Sequence, residues 1–199
     1  MFLFTIHRLL FAAFAVCTAG LTLSCGGRQS TPKPRGYYRI ALPEKHEYAP
    51  LSLKGYPYTF DVSTCATATP NTGRGSEPYW LDVAYPDYNA IIYLSYKCAE
   101  NRYAQLLEDA HALVYRHTIK ADAITEQRFE GGNGKTFGYL YEIGGNAATN
   151  VQFYVTDSVR HFLRGSLYFN VQPNRDSLAP VIDFITEDIR RLMETVEFR

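Results

Sequence analysis

The sequence predicts an α+β domain in which a largely antiparallel sheet is covered by two helices, in the order ββββαββββα. Three observations carry this. Eight runs rich in Tyr, Phe, Val and Ile are bounded by Pro, Gly and Asn clusters, as strands are. Two longer stretches repeat their apolar residues at helical spacing instead. The breaks between consecutive strand runs are short, and a parallel pair would need a crossover of a dozen or more residues.

The first four runs are 37–42, 58–63, 80–85 and 90–96. In the third, Leu81, Val83 and Tyr85 alternate with Trp80, Asp82 and Ala84, the period of a strand with one buried face. It joins the fourth through Pro86-Asp87-Tyr88-Asn89, a hairpin turn by composition. Residues 66–78, with Pro70, Gly73 and Gly75, read as a surface loop. From 100 to 121 the period changes: Tyr103, Leu106, Leu107, Ala110, Leu113, Val114 and Thr118 mark an amphipathic helix. Strand runs resume at 123–130, 135–143, 150–156 and 160–171, separated by turns at 131–134, 144–146 and 157–158. The last helix spans about 178–198 on a stripe of Val181, Ile182, Ile185, Ile189, Leu192, Met193 and Val196. Asp176 or Ser177 can cap it, Pro180 fits a first turn, and Glu187 and Arg191 are spaced to pair. The arrangement looks like a PsbP-type α/β/α sandwich, by analogy alone.

Ahead of this domain, His7 and Arg8 precede a mainly apolar stretch from Leu9 to Leu23 that ends at Ser24-Cys25. This is the layout of a secretory signal, too short and too interrupted for a span of about 20 residues. A cysteine just past the cut is the mark of a lipoprotein, because its thiol receives the lipid. Residues 1–24 are therefore expected to be a signal peptide, Cys25 a lipidation site, 25–36 a flexible tether, and 37–199 one domain. Gly26 lacks the Asp that retains lipoproteins in some inner membranes, which leans toward the outer membrane.

The 20 basic and 20 acidic residues are interspersed, which excludes the clustered basic face of a nucleic-acid binder. Sixteen Tyr and twelve Phe fall mostly in the strand runs. Either they pack a half-wet sheet face, or they form a sugar- or peptide-binding surface. An exported protein meets an oxidising space, so Cys65 and Cys98 are expected to form a disulfide, the alternative being two free thiols.

Catalytic and cofactor signatures fail on spacing. Gly134-Lys135-Thr136 would need glycine at position 129, which is Phe129, and no helix follows. His111 and His117 are six apart on the first helix and cannot chelate one metal. Asp157, His161 and Ser166 are close, but strand alternation sends 161 and 166 to opposite faces. No enzyme activity, metal or cofactor is expected. The candidate partner surface is the small-residue loop Gly144-Gly145-Asn146, with Tyr79-Trp80 as an aromatic anchor or, alternatively, a core pair.

Several runs resemble the gliding motility lipoprotein GldD family: Pro34-Arg35-Gly36-Tyr37-Tyr38-Arg39-Ile40, Glu77-Pro78-Tyr79-Trp80, Leu94-Ser95-Tyr96-Lys97, Leu106-Leu107-Glu108-Asp109-Ala110-His111 and His117-Thr118-Ile119-Lys120. So do Gly144-Gly145-Asn146-Ala147-Ala148, Val151-Gln152-Phe153-Tyr154, His161-Phe162-Leu163-Arg164-Gly165 and Leu167-Tyr168-Phe169-Asn170-Val171. The resemblance implies a non-enzymatic envelope lipoprotein supporting gliding motility or type IX secretion. Its partners would be other envelope lipoproteins or membrane proteins of that machinery, reached from a lipid anchor. No catalytic residue carries over. The Cys65 and Cys98 pair is not a feature of the family as a whole. The alternative function is a periplasmic solute- or glycan-binding lipoprotein with a Tyr-rich cleft, which a deep pocket would favour.

Overall fold

Apolar alternation organises seven strands into one antiparallel sheet, seen in a computed structural model that describes residues 36, 39–116 and 121–199. The expected signal peptide, Cys25, nearly all of the tether, Tyr37 and Tyr38, and His117 lie outside the described residues. The strands are β1 (Tyr48–Pro50), β2 (Tyr58–Thr59), β3 (Asp61–Ser63), β4 (Thr67–Pro70), β5 (Leu81–Tyr85), β6 (Ala90–Cys98), β7 (Ala121–Glu130), β8 (Phe137–Gly145), β9 (Thr149–Thr156), β10 (His161–Phe169) and β11 (Glu197–Phe198). The helices are α1 (Tyr103–Tyr115) and α2 (Arg175–Thr195). The sheet order is β4-β5-β6-β10-β9-β8-β7, and β1-β3 and β2-β11 form two small ribbons. The α+β class and the antiparallel sheet with two helices are as the sequence predicts.

Strand alternation divides the sheet residues between two cores. Leu81, Val83, Tyr85, Ile92, Leu94, Leu140, Val151, Phe153, Val155, Leu163 and Leu167 face inward onto α2 and onto Tyr58 and Phe60. On the outer face, Tyr141, Ile143, Tyr154 and Phe162 meet Leu106, Ala110 and Val114 of α1. Burying side chains of this size contributes about 1.5–3 kcal/mol each.

Several local expectations are corrected. Residues 39–47 form no strand; β1 begins at Tyr48. The run 58–63 breaks at Phe60, whose ring is buried, so that β2 pairs with β11 and β3 with β1. The expected surface loop contains β4, an edge strand ending at Pro70. The last helix starts earlier than expected, capped by Asn174, whose side chain accepts from Ser177 N, so Pro180 sits inside the helix. Arg191 pairs with Asp61 at 2.7 Å rather than with Glu187, which bonds Arg190 at 3.3 Å.

Cys65 and Cys98 are both free thiols, and the expected bridge is not formed. Register explains it. Thr67 aligns with Ala84 and Ala84 with Ile91, which sets Cys65 beyond that end of the sheet, while Cys98 lies seven residues from Ile91 along β6. Seven residues of strand span about 23 Å. A disulfide tolerates Cα separations up to about 7 Å.

Candidate functional site

The candidate residues taken from the sequence do not converge. Gly144 and Gly145 end β8, and Gly145 adopts φ 82°, a conformation that favours glycine. Asn150 Nδ2 ties the turn by donating to the carbonyls of Ile143 (3.2 Å) and Gly145 (3.4 Å). Asn146 Oδ1 accepts from Arg175 N at 3.0 Å and so satisfies an open donor at the start of α2. The loop thus docks a helix end.

Tyr79 and Trp80 part company. Tyr79, at φ 68° and 43% exposed, packs edge-on against Tyr56 and Tyr96 on the inner side, and its carbonyl accepts from Tyr58 Oη at 2.6 Å. Trp80 lies on the outer side, donating Nε1 to the Tyr96 carbonyl at 3.2 Å, with Lys97 Nζ 5.5 Å above its ring. The two side chains cannot act as one anchor. Gly145 also lies near the opposite end of the sheet, since the level of Tyr96 runs through Leu163 and Val155 to Gly138.

What the strands do assemble is a half-open outer face. There β5 presents Asp82 and Ala84, β6 presents Ile91, Tyr93, Ser95 and Lys97, and β10 presents Arg164, Ser166 and Tyr168. The apolar contacts of α1 fall on β8, β9 and the start of β10, so this half is not covered by that helix. Tyr93 is 43% exposed and meets Tyr168 edge-on, with ring centroids 5.7 Å apart. Lys97 pairs with Glu77, and Asp82 accepts from Asn71 Nδ2 at 2.7 Å. Arg164 donates to Gln152 Oε1, and burial lowers its pKa from the usual guanidinium range.

Other polar clusters serve structure. Asp188, buried in α2, accepts from His46 Nδ1 (2.7 Å), Tyr48 Oη (3.0 Å) and Tyr85 Oη (3.1 Å). Burial first, then the Asp188 carboxylate, raises both tyrosine pKa values. The spacing of α2 holds a signal for this cluster, because Asp188 falls on the stripe of Ile185, Ile189 and Leu192. His161 stacks on Phe198 at 4.9 Å and shares a 2.7 Å hydrogen bond with Tyr96 Oη, on the face opposite Ser166. Burial lowers its pKa. The turn Gly131–Gly134 closes through Gly131 N to the Thr136 carbonyl, 2.8 Å.

Among the described residues no group of three or more His, Cys, Asp or Glu could hold a metal ion, and no helix is long and apolar enough to cross a membrane. The main cavities are shallow. A groove of about 500 Å³ between α1 and the sheet is lined by Leu107, His111, Glu126, Tyr139, Tyr141 and Tyr154, and another of about 200 Å³ touches Gly144 and Gly145.

No curated protein matches the chain. Among solved structures, the cyanobacterial PsbP (CyanoP) of Synechocystis sp. PCC 6803, determined in solution, aligns at 10% identity with a TM-score of 0.43, covering 76% of this chain and 92% of that one. The family model described as gliding motility lipoprotein GldD matches residues 27–198. Members of that family are structural or adaptor lipoproteins rather than enzymes. With essentially the whole sheet, both helices and the outer face inside the matched span, the chain belongs to the gliding motility lipoprotein GldD family.

Proposed function

We propose that this protein is a lipid-anchored, periplasm-facing adaptor of the gliding or type IX secretion machinery, holding other envelope proteins of that machinery against the open half of its sheet. The observation that carries the reading is the outer face itself: a family lipoprotein carries Tyr93, Tyr168, Trp80 and Arg164 on sheet that α1 does not cover. Tyr93 is exposed and Trp80, Arg164 and Tyr168 are half-buried, and aromatic and arginine side chains are the residue types that dominate binding energy at protein interfaces. Cys25 supplies the anchor in this reading. Two or more acyl chains hold a protein durably, whereas one holds it marginally. Gly26 in place of Asp favours the outer membrane.

Two experiments test it. Deleting the gene is expected to stop secretion of signal-bearing cargo or lower the level of a partner lipoprotein; normal secretion with unchanged partner levels contradicts the adaptor role. Cys25→Ala is expected to shift the protein from the membrane to the soluble periplasmic fraction, and retention in the membrane contradicts the anchor. The cavities do not favour the solute-binding alternative, because the Tyr-lined groove is shallow and two of its tyrosines, Tyr141 and Tyr154, are themselves packed in the core.

A further inference from the structure

Among the described residues Arg164 is a cation without a counter-charge. Its guanidinium carries five N–H groups, and the hydrogen bond to Gln152 Oε1 occupies one of the five. No carboxylate of the described residues forms an ion pair with it. The acids on the β5 side of this face are already engaged, Glu77 by Lys97 and Asp82 by Asn71.

The polar groups beside it are short of partners as well. Because Arg164 donates to Oε1, the Gln152 amide is oriented with Nε2 as a donor, and Nε2 has no acceptor among the described residues. Ser166, directly opposite Gln152 in the β9–β10 register, is buried with its Oγ unpartnered too. Buried polar atoms are hydrogen-bonded in the large majority of cases, and a partly desolvated charge is stable when paired. One arginine and two adjacent orphaned polar groups on one face share one missing chemistry, an anionic acceptor.

We propose that the Arg164 patch receives the carboxylate of an acidic segment in a partner protein. The carboxylate takes the open N–H groups of Arg164 in a bidentate pair, Gln152 holds the guanidinium in place, and Tyr93 and Tyr168 pack against the segment that carries the acid. A polypeptide fits better than a free anion. Arg164 lines none of the main cavities among the described residues, and the exposed Tyr93 ring supplies a flat apolar contact beside the charge. This deepens the adaptor reading and rests on it.

The test uses the full lipidated chain in native envelopes with a photo-crosslinking residue in place of Tyr93. Attachment is expected to map, by mass spectrometry, to a partner segment containing Asp or Glu. Arg164→Gln is expected to cut the yield about tenfold or more, as is changing that partner acid to its amide, while Arg164→Lys retains part of it. Gln152→Glu supplies the missing carboxylate internally, so it is expected to raise the thermal midpoint while lowering crosslinking to the level of Arg164→Gln. Unchanged yield in Arg164→Gln, with a partner still captured, overturns the carboxylate site and leaves the adaptor reading intact. Failure to capture any partner from any surface position overturns both. Loss of the crosslink on adding excess succinate, but not on adding chloride to the same ionic strength, supports the carboxylate site, because succinate competes for the same N–H groups; a crosslink that is indifferent to both overturns it.

Discussion

Asp188→Ala removes the acceptor that three side chains from distant parts of the chain share. The expected cost follows from what each donor can do afterwards. Tyr85 Oη is buried, with the residue 2% exposed, so it cannot recover a bond from water and leaves a desolvation cost of about 1–3 kcal/mol. Tyr48 and His46 are partly exposed and rehydrate, which limits their loss to about 0.5–1.5 kcal/mol each. The total is about 2–6 kcal/mol, in line with breaking a buried charged network by deleting one member. Tyr85→Phe is the milder control: it removes one donor and leaves Asp188 with two, so about 1 kcal/mol is expected. Urea unfolding of the variants measures both, with an unchanged m-value showing that the native state is the one perturbed. An Asp188→Ala cost under about 1 kcal/mol, or a Tyr85→Phe cost equal to it, refutes the idea that this carboxylate fastens segment 46–48 and β5 to α2.

Acid should weaken the fold in two separate windows. His161 titrates below its ordinary 6.5 because it is buried, so the unfolded chain takes up the proton first and stability falls as pH drops from about 6.5 toward the folded value. Asp157 is pushed up by burial, but three backbone N–H groups of Val159, Arg160 and His161 outweigh this and hold it below 3.8, so its contribution is lost as pH falls through the folded value. Unfolding midpoints measured across acid pH should show the upper window vanish in His161→Phe. Gly165→Ala places a Cβ 2.2 Å from Phe153 Cζ and is expected to cost about 1–3 kcal/mol. Gly138→Ala places one 1.9 Å from the backbone carbonyl of Tyr154, which cannot swing aside, so thermal unfolding should rank it the worse of the two. Alkylation of the unfolded, unreduced chain should label both Cys65 and Cys98; protection of the pair would show a bridge and refute the register argument.

How much of this could be seen in the sequence depends on how local each cause is. The stripe of α2 and the alternation of β5, β6 and β8 to β10 are local patterns, and those elements lie within a few residues of their expected places. The β2-β11 ribbon joins Tyr58 to Phe198 across most of the chain, and two residues per strand leave no pattern to read. β4 hid in a stretch rich in Thr, Pro and Gly because an edge strand needs little apolar content. The disulfide failed for a related reason: spacing in sequence says nothing about which end of a sheet a cysteine reaches. The disagreement of Tyr79 and Trp80 was not legible, because it comes from the left-handed backbone of Tyr79 in the turn before β5 rather than from strand alternation. For Arg164 the sequence held half the signal, a charge inside a strand between Leu163 and Gly165, but not the lack of a carboxylate partner among the described residues.

The two faces of the sheet explain why α1 leaves part of the outer face uncovered. A helix is about 10–12 Å wide and strands lie about 4.8 Å apart, so one helix covers little more than two strands. On the inner face α2 is supplemented by Ile40, Leu42, Leu51, Leu53, Tyr56, Tyr58, Phe60 and Val62, which extend the cover. On the outer face the apolar packing of α1 ends at β10. A sheet meant to be closed there would carry Val, Ile and Leu along β5 and β6, as it does on the inner side. It carries Asp82, Tyr93, Ser95 and Lys97 instead, side chains that tolerate water and also fit a partner's polar groups. Such a surface binds through charge and aromatic area more than through bulk apolar burial. Added salt should therefore weaken partner binding there well before it affects the fold, whose cores are apolar on both sides of the sheet.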